Sequence, residues 1–192
     1  MLIYGMRWHI VFIFFILIVA FAALLIFYAK KDTVYVLFST KNNMELKSTS
    51  FKHNSIIPSK YTCDGENINP NLYMENVPDN AKELVLIVDD PDAPAGTWIH
   101  WTVWGIDPAI NTIKEGELPE GAREGLTSFG TVGYGGPCPP EGSGAHRYSF
   151  RIYALDKKIK LPAGSALDEL QKEMQGDVVA SAEIIGLYSH DK

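Results

Sequence analysis

One uncharged run constrains this chain more than any other stretch: Trp8 to Tyr28, WHIVFIFFILIVAFAALLIFY, contains no Asp, Glu, Lys or Arg. As a helix rising 1.5 Å per residue it would reach roughly 32 Å, enough to cross a bilayer core. A secretory signal has an apolar core of only about 7 to 15 residues before a small-residue cleavage site. Ala20-Phe21-Ala22 offers such a site, but Leu24 to Phe27 carry the apolar run past it and Lys30-Lys31 end it like an anchor flank. The expectation is therefore an uncleaved single transmembrane helix, an anchor over residues 1–31, and a single-pass membrane protein whose folded part is extracytoplasmic. Arg7 on one side and Lys30 and Lys31 on the other nearly balance, so the positive-inside rule does not set the orientation.

Beyond the anchor, residues 32–43 read as a linker and 44–192 as one domain, of a size that can bury a proper core. The full chain has a formal charge of −6 from 17 basic and 23 acidic side chains. Arg7, Lys30 and Lys31 belong to the anchor region, which has no acid. The rest is thus more acidic than the whole, which argues against nucleic acid and against a polybasic grip on anionic lipid.

Within the domain the hydrophobic period is mostly two. Glu83 to Val88 is a near-continuous apolar run of strand length, and Trp98 to Ile106 sets large residues on both faces. His146 to Leu155 alternates His146, Tyr148, Phe150, Ile152 and Ala154 against a wetter face. Val178 to Tyr188 reads as a last strand. One helix is expected, starting at a capping-box-like Ser165-Ala166-Leu167-Asp168 and running to Gly176. Many strands, one or two short helices and loops rich in Gly and Pro predict a mainly β fold, an antiparallel Greek-key β-sandwich behind the transmembrane helix.

Two clusters could carry chemistry. Asp89-Asp90-Pro91-Asp92-Ala93-Pro94 follows a strand and leads to Trp98-Ile99-His100-Trp101. Alone it is a rigid acidic turn, because Asp bonds its own backbone two residues on and Pro presets φ; Asp89 reads as an ordinary flanking acid. The second cluster, Gly133 to Tyr148, places His146 at a strand entry after a loop dense in Gly and Pro; Gly130 to Gly144 alone holds six glycines and three prolines. Glycines let backbone N–H groups approach a ligand and form an anion-binding nest. The two loops could converge at one end of a sandwich.

Cys63 and Cys138, the only cysteines, both lie beyond the anchor. An even pair in an exported domain either forms a disulfide or remains two buried reduced thiols. If joined, the bond closes a loop of about 76 residues, worth roughly 4 kcal/mol. No ligand spacing suggests a metal, and no cofactor motif is present.

The chain resembles the phosphatidylethanolamine-binding proteins, also called Raf kinase inhibitor-like proteins, in their bacterial and archaeal branch. The resemblance rests on Asp90-Pro91-Asp92-Ala93-Pro94, Trp98-Ile99-His100-Trp101, Gly133 to Pro140 running into Gly144-Ala145-His146-Arg147-Tyr148, and Tyr61 to Asn67 with Pro70. It implies a Greek-key β-sandwich with a small pocket for phosphate-like anions and phospholipid head groups. Carried over by motif, Asp90, Asp92, His100 and His146 line or brace that pocket, with Pro139, Pro140 and Tyr148 at its rim. The longer eukaryotic members carry a C-terminal helix over the pocket; Lys192 follows soon after the expected last strand, so the resemblance does not extend to that helix.

The leading function is accordingly a membrane-tethered binding protein for a small phosphorylated or anionic ligand, with the phosphatidylethanolamine head group as one candidate. The alternative is a regulator of a protein partner, such as a protease inhibitor. Catalysis is not expected: there is no H-x-H, no H-E-x-x-H and no G-x-S-x-G in the sequence.

Overall fold

The computed structural model describes residues 43–190. Nine strands and one α-helix lie among them: β1 (Glu45–Ser48), β2 (Ser55–Ile56), β3 (Leu72–Glu75), β4 (Glu83–Asp90), β5 (Trp98–Ile106), β6 (Thr112–Ile113), β7 (Arg123–Glu124), β8 (His146–Leu155), α1 (Leu167–Met174) and β9 (Val178–Tyr188). A 3-10 turn spans Ser59–Tyr61. The strands form a six-stranded sheet in the order β2-β9-β8-β4-β5-β7 and a three-stranded sheet in the order β1-β3-β6. The period-two reading located β5, β8 and β9 with the observed bounds, and β4 runs two residues further, through Asp89 and Asp90.

Alternation along the central strands builds three layers. Leu84, Leu86 and Val88 of β4, with Phe150 and Ile152 of β8, face the small sheet and share one core with its Leu46, Leu72, Met74 and Ile113. Val85 and Ile87 point the other way and pack with Trp104, Leu170 and Met174, so α1 covers the far face of the large sheet. Leu170 and Met174 recur at helical spacing and are its buried residues. The start of α1 differs from the expected box by one residue. Ala166 is the cap, its N–H donates to Glu169 Oε2 at 2.9 Å, and no side chain returns a bond because alanine has no acceptor.

The expected fold class and localisation require correction. The described fold is mainly β with one α-helix, and among the described residues no helix is long and apolar enough to cross a membrane. The run 8–28, and with it the expected anchor at 1–31 and most of the 32–43 linker, lies outside the described residues. A transmembrane helix and a single-pass membrane localisation are therefore not supported. Nor is the sandwich wholly antiparallel, since β2 pairs with β9 in parallel.

Two register shifts interrupt the β4–β5 pairing, one between Leu84 and Leu86 and one between Val88 and Asp89. At the second, Val88 faces Trp101 while Asp89 faces Ile99, so His100 is the extra residue of a bulge. Strict alternation would send His100 and Trp101 to opposite faces. Instead Trp101 enters the inner core and His100 packs edge-on against Tyr148 of the same core, with ring centroids 5.1 Å apart.

Candidate functional site

The end of the large sheet where β4 finishes and β5 and β8 begin brings the two sequence clusters together, because these three strands are neighbours in the order β8-β4-β5. A cavity of about 320 Å³ opens there. Asp90, His100 and His146 supply its ionisable groups. Pro94, Trp98, Phe129, Pro139 and Pro140 make its walls largely apolar, with Ala93, Ala95 and Cys138 completing them.

Asp90 is the last residue of β4 and is 3% exposed. Its Oδ2 accepts Nδ1–H of His146 at 2.8 Å, and its Oδ1 accepts the backbone N–H of Asp92 at 2.8 Å, closing an Asx turn. Asp89, one residue earlier, points to the opposite face, where it is buried and pairs with Arg151. Burial pushes its carboxyl up from the ordinary value, and the Arg151 charge opposes that. Asp89 is thus a strand residue with a buried partner and no part of the cavity.

His100 is 2% exposed. Its Nδ1 lies 2.6 Å from Gly135 O, so Nδ1–H donates and Nε2 is left uncommitted. Burial lowers its pKa, and the Gly135 carbonyl acts in the other direction. Gly135 N–H in turn donates to His100 O at 2.9 Å. On the open side the ring meets Phe129 at 5.3 Å between centroids. Phe129 sits on a turn closed by Thr127, whose N–H and hydroxyl both donate to Thr131 O, and Ser128 N–H donates to Ile99 O.

Asp92 and Tyr148 stand outside the cavity lining. Asp92 clamps the β4–β5 turn to the start of β8, because its carboxylate takes Nε–H of Arg147 at 2.9 Å, a terminal N–H at 2.6 Å and the Arg147 backbone N–H at 2.9 Å. The Arg147 hydrogen bonds hold its pKa down at about 2. Tyr148 is fully buried behind His100, and burial, reinforced by the Asp90 charge, raises its hydroxyl far above the ordinary range.

The glycine loop works differently from the expected N–H nest. Gly135 N–H is spent on His100 O, and Gly136 N–H donates to Asn67 Oδ1 at 2.7 Å. A Cβ on Gly135 would sit 2.6 Å from the Phe129 ring, and one on Gly136 would sit 2.4 Å from Tyr61 O. Both glycines are there for close packing. Cys63 and Cys138 are joined in a disulfide with a Cα separation of 5.4 Å, which ties the early 62–67 loop to the cavity wall. Cys138, Trp98 and Phe129 escaped the sequence reading as cavity residues. Trp98 reaches the cavity because it pairs with Asp90 across β4 and β5, a register the sequence does not show.

Comparison with known proteins places this arrangement. A family profile described as Phosphatidylethanolamine-binding protein matches residues 47–189. The chain belongs to that family. Among curated relatives of this phosphatidylethanolamine-binding protein family member, one from Methanothermobacter thermautotrophicus is 47% identical over 150 residues, covering 76% of this chain and 98% of the relative. One from Chlamydia trachomatis is 41% identical over 153 residues, covering 77% and 100%. Two crystal structures agree with the fold. A phosphatidylethanolamine-binding protein homologue from Chlamydia trachomatis has a TM-score of 0.74 at 41% identity, covering 78% of this chain and 99% of that one. Escherichia coli YbcL, described as a new member of the mammalian family, has a TM-score of 0.72 at 31% identity, covering 76% and 98%.

Proposed function

We propose that the cavity binds a small phosphate-like anion, either free or carried on a phospholipid head group, and that the chain acts by binding and not by turnover. The observation that carries this reading is that two buried imidazoles on one cavity each have Nδ1 held by the protein, His146 by Asp90 and His100 by Gly135. The partners fix the tautomers, so both Nε2 atoms are the uncommitted ones. His146 keeps its Nδ1–H on Asp90 Oδ2 and turns Nε2 to the ligand, as an acceptor for a P–OH group or, when the ring carries both protons, as a donor to a phosphate oxygen. His100 with a neutral ring offers an Nε2 lone pair to a P–OH group and, once protonated, a second donor. A ligand that is both acceptor and donor suits the pair better than a fully deprotonated anion.

The size agrees. About 320 Å³ lies at the small end of ligand pockets, which run from about 300 to 1,000 Å³. Apolar walls lower the local dielectric and strengthen the few polar contacts. Against turnover stands the lining itself: it contains no serine or threonine, and its single cysteine is bonded to Cys63. The His146–Asp90 pair therefore has no side-chain hydroxyl or thiol to activate among the described lining residues.

Calorimetric titration of the full chain with inorganic phosphate and with phosphoethanolamine tests the reading. Saturable binding that His146→Ala abolishes is expected. No saturable binding between about pH 5.5 and 8, the range over which histidines titrate, would reject it. Tighter binding of phosphoethanolamine than of phosphate would point to the head group as the source.

A further inference from the structure

The disulfide has a third member that the cavity does not use. One imidazole nitrogen of His190 and the sulfurs of Cys63 and Cys138 all lie within 4.8 Å of one another. Both cysteines are exposed. His190 Nε2 lies 3.2 Å from Asp64 Oδ1, and Asp64 Oδ2 also accepts the Tyr188 hydroxyl at 2.5 Å. A carboxylate beside a histidine ring helps to orient it, as carboxylates do behind histidines that ligate metals.

We infer that, once the disulfide is reduced, Cys63, Cys138 and His190 form a site for Zn²⁺, with Asp64 orienting the imidazole. The chemistry balances in two steps. A dithiol reductant breaks the S–S bond, giving up two electrons and two protons and itself becoming a cyclic disulfide, so that the chain holds two thiols. Zn²⁺ then displaces one proton from each thiol, and two thiolates and the neutral imidazole bind it. Water takes the fourth tetrahedral position.

The geometry needs little rearrangement. Zn–S bonds of about 2.3 Å and Zn–N bonds of about 2.0–2.1 Å put tetrahedral ligand atoms roughly 3.4–3.8 Å apart. Once the bond is reduced, the sulfurs reach that separation by rotation of two exposed side chains. The two segments are also joined outside the disulfide: Cys63 N–H donates to Pro137 O at 3.1 Å, and Gly136 N–H is held by Asn67. The ligands are thus kept together by bonds that reduction does not touch.

The test uses the full chain, reduced with a dithiol, freed of reductant without air, and dialysed against Zn²⁺. One tightly held zinc per reduced chain and none per oxidised chain is the expected result. Asp64→Asn weakens the zinc by about tenfold or more, as loss of an outer-shell partner does. Co²⁺ in place of zinc should give a thiolate-to-metal charge-transfer band in the near ultraviolet. Zinc retained undiminished by a Cys63→Ser, Cys138→Ser double variant, or no zinc on the reduced chain, overturns the proposal. Should the double variant not fold, the cobalt spectrum of the unmodified chain decides, and absence of the thiolate band is again fatal. Phosphate titration of the oxidised chain, with the Cys63–Cys138 bond intact, reads the cavity separately, so failure here leaves the anion reading standing or falling by itself.

Discussion

His100 and Gly135 are bonded in both directions: His100 Nδ1–H donates to Gly135 O at 2.6 Å, and Gly135 N–H returns to His100 O at 2.9 Å. The β5 bulge and the glycine loop are thereby locked together, and the imidazole can gain a proton only at Nε2. Burial depresses its pKa below the ordinary 6.5. Below that value the unfolded chain takes the proton before the folded one, so without ligand the fold loses stability as pH falls through the window under 6.5. A bound anion favours the protonated ring, so affinity rises over the same window. Phosphate affinity should therefore increase by up to about tenfold per pH unit below 6.5, as measured by calorimetry. His100→Asn keeps a side-chain N–H for Gly135 and should flatten the profile.

Asp90 works on the ligand through His146. Its Oδ2 stands 2.8 Å from His146 Nδ1, with side chains only 4% and 6% exposed, so the charge acts with little solvent screening. Asp90→Asn keeps a similar shape but removes the charged acceptor that holds His146 Nδ1–H. A hydrogen bond to a charged group is worth about 1.5–3 kcal/mol. Phosphate binding in the variant should weaken by about tenfold or more at neutral pH, with the fold retained by circular dichroism. Unchanged affinity would show that Asp90 does not act on the ligand through His146.

Why the sequence disclosed some of this and not the rest follows from range. The faces of β8 were legible because His146, Tyr148, Phe150 and Ile152 alternate with polar residues, and period two needs only the strand itself. That Asp90 and Asp89 part company also follows from alternation, once β4 is known to extend through both. The placement of His100 beside Trp101 was not legible. It depends on a bulge, which is a property of the β4–β5 register and not of β5 alone. Phe129 was missed for a similar reason, since a loop residue reaches the cavity only through a turn held by Thr127 and Thr131. The glycines were noticed but assigned the wrong work, because a dense glycine loop reads the same whether its N–H groups face a ligand or another segment.

That last distinction is testable at Gly136. A methyl group there would lie 2.4 Å from Tyr61 O, 2.7 Å from Asn67 Oδ1 and 2.9 Å from Thr62 Cα. Two of the three are backbone atoms of the loop that the disulfide also ties down, so they give way reluctantly. Overpacking of this kind typically costs about 1–3 kcal/mol. Gly136→Ala should lower the urea midpoint accordingly, whereas Gly142→Ala, with nothing within 4 Å but a φ of +74°, should cost only the smaller strain of a left-handed residue. Equal losses at the two positions would refute the packing role.

Asp92 and Arg147 give the clearest acid-dependent stability. Folding lowers the Asp92 pKa from 3.8 to about 2, chiefly through the Arg147 hydrogen bonds. A depressed carboxyl contributes stability that is fully present above 3.8 and disappears as pH falls through about 2, because the unfolded chain binds the proton first. The side chains are 30% and 56% exposed, so solvent screening reduces the gain to about 1 kcal/mol at most. Urea unfolding should find Asp92→Asn less stable than the parent by about that amount near neutral pH. The gap should close as pH is lowered from about 5 towards 2. Phosphate affinity should change much less than in Asp90→Asn, because Asp92 braces the turn and does not line the cavity. A variant whose deficit persisted undiminished at low pH would place the Asp92 contribution in its geometry and not in its charge.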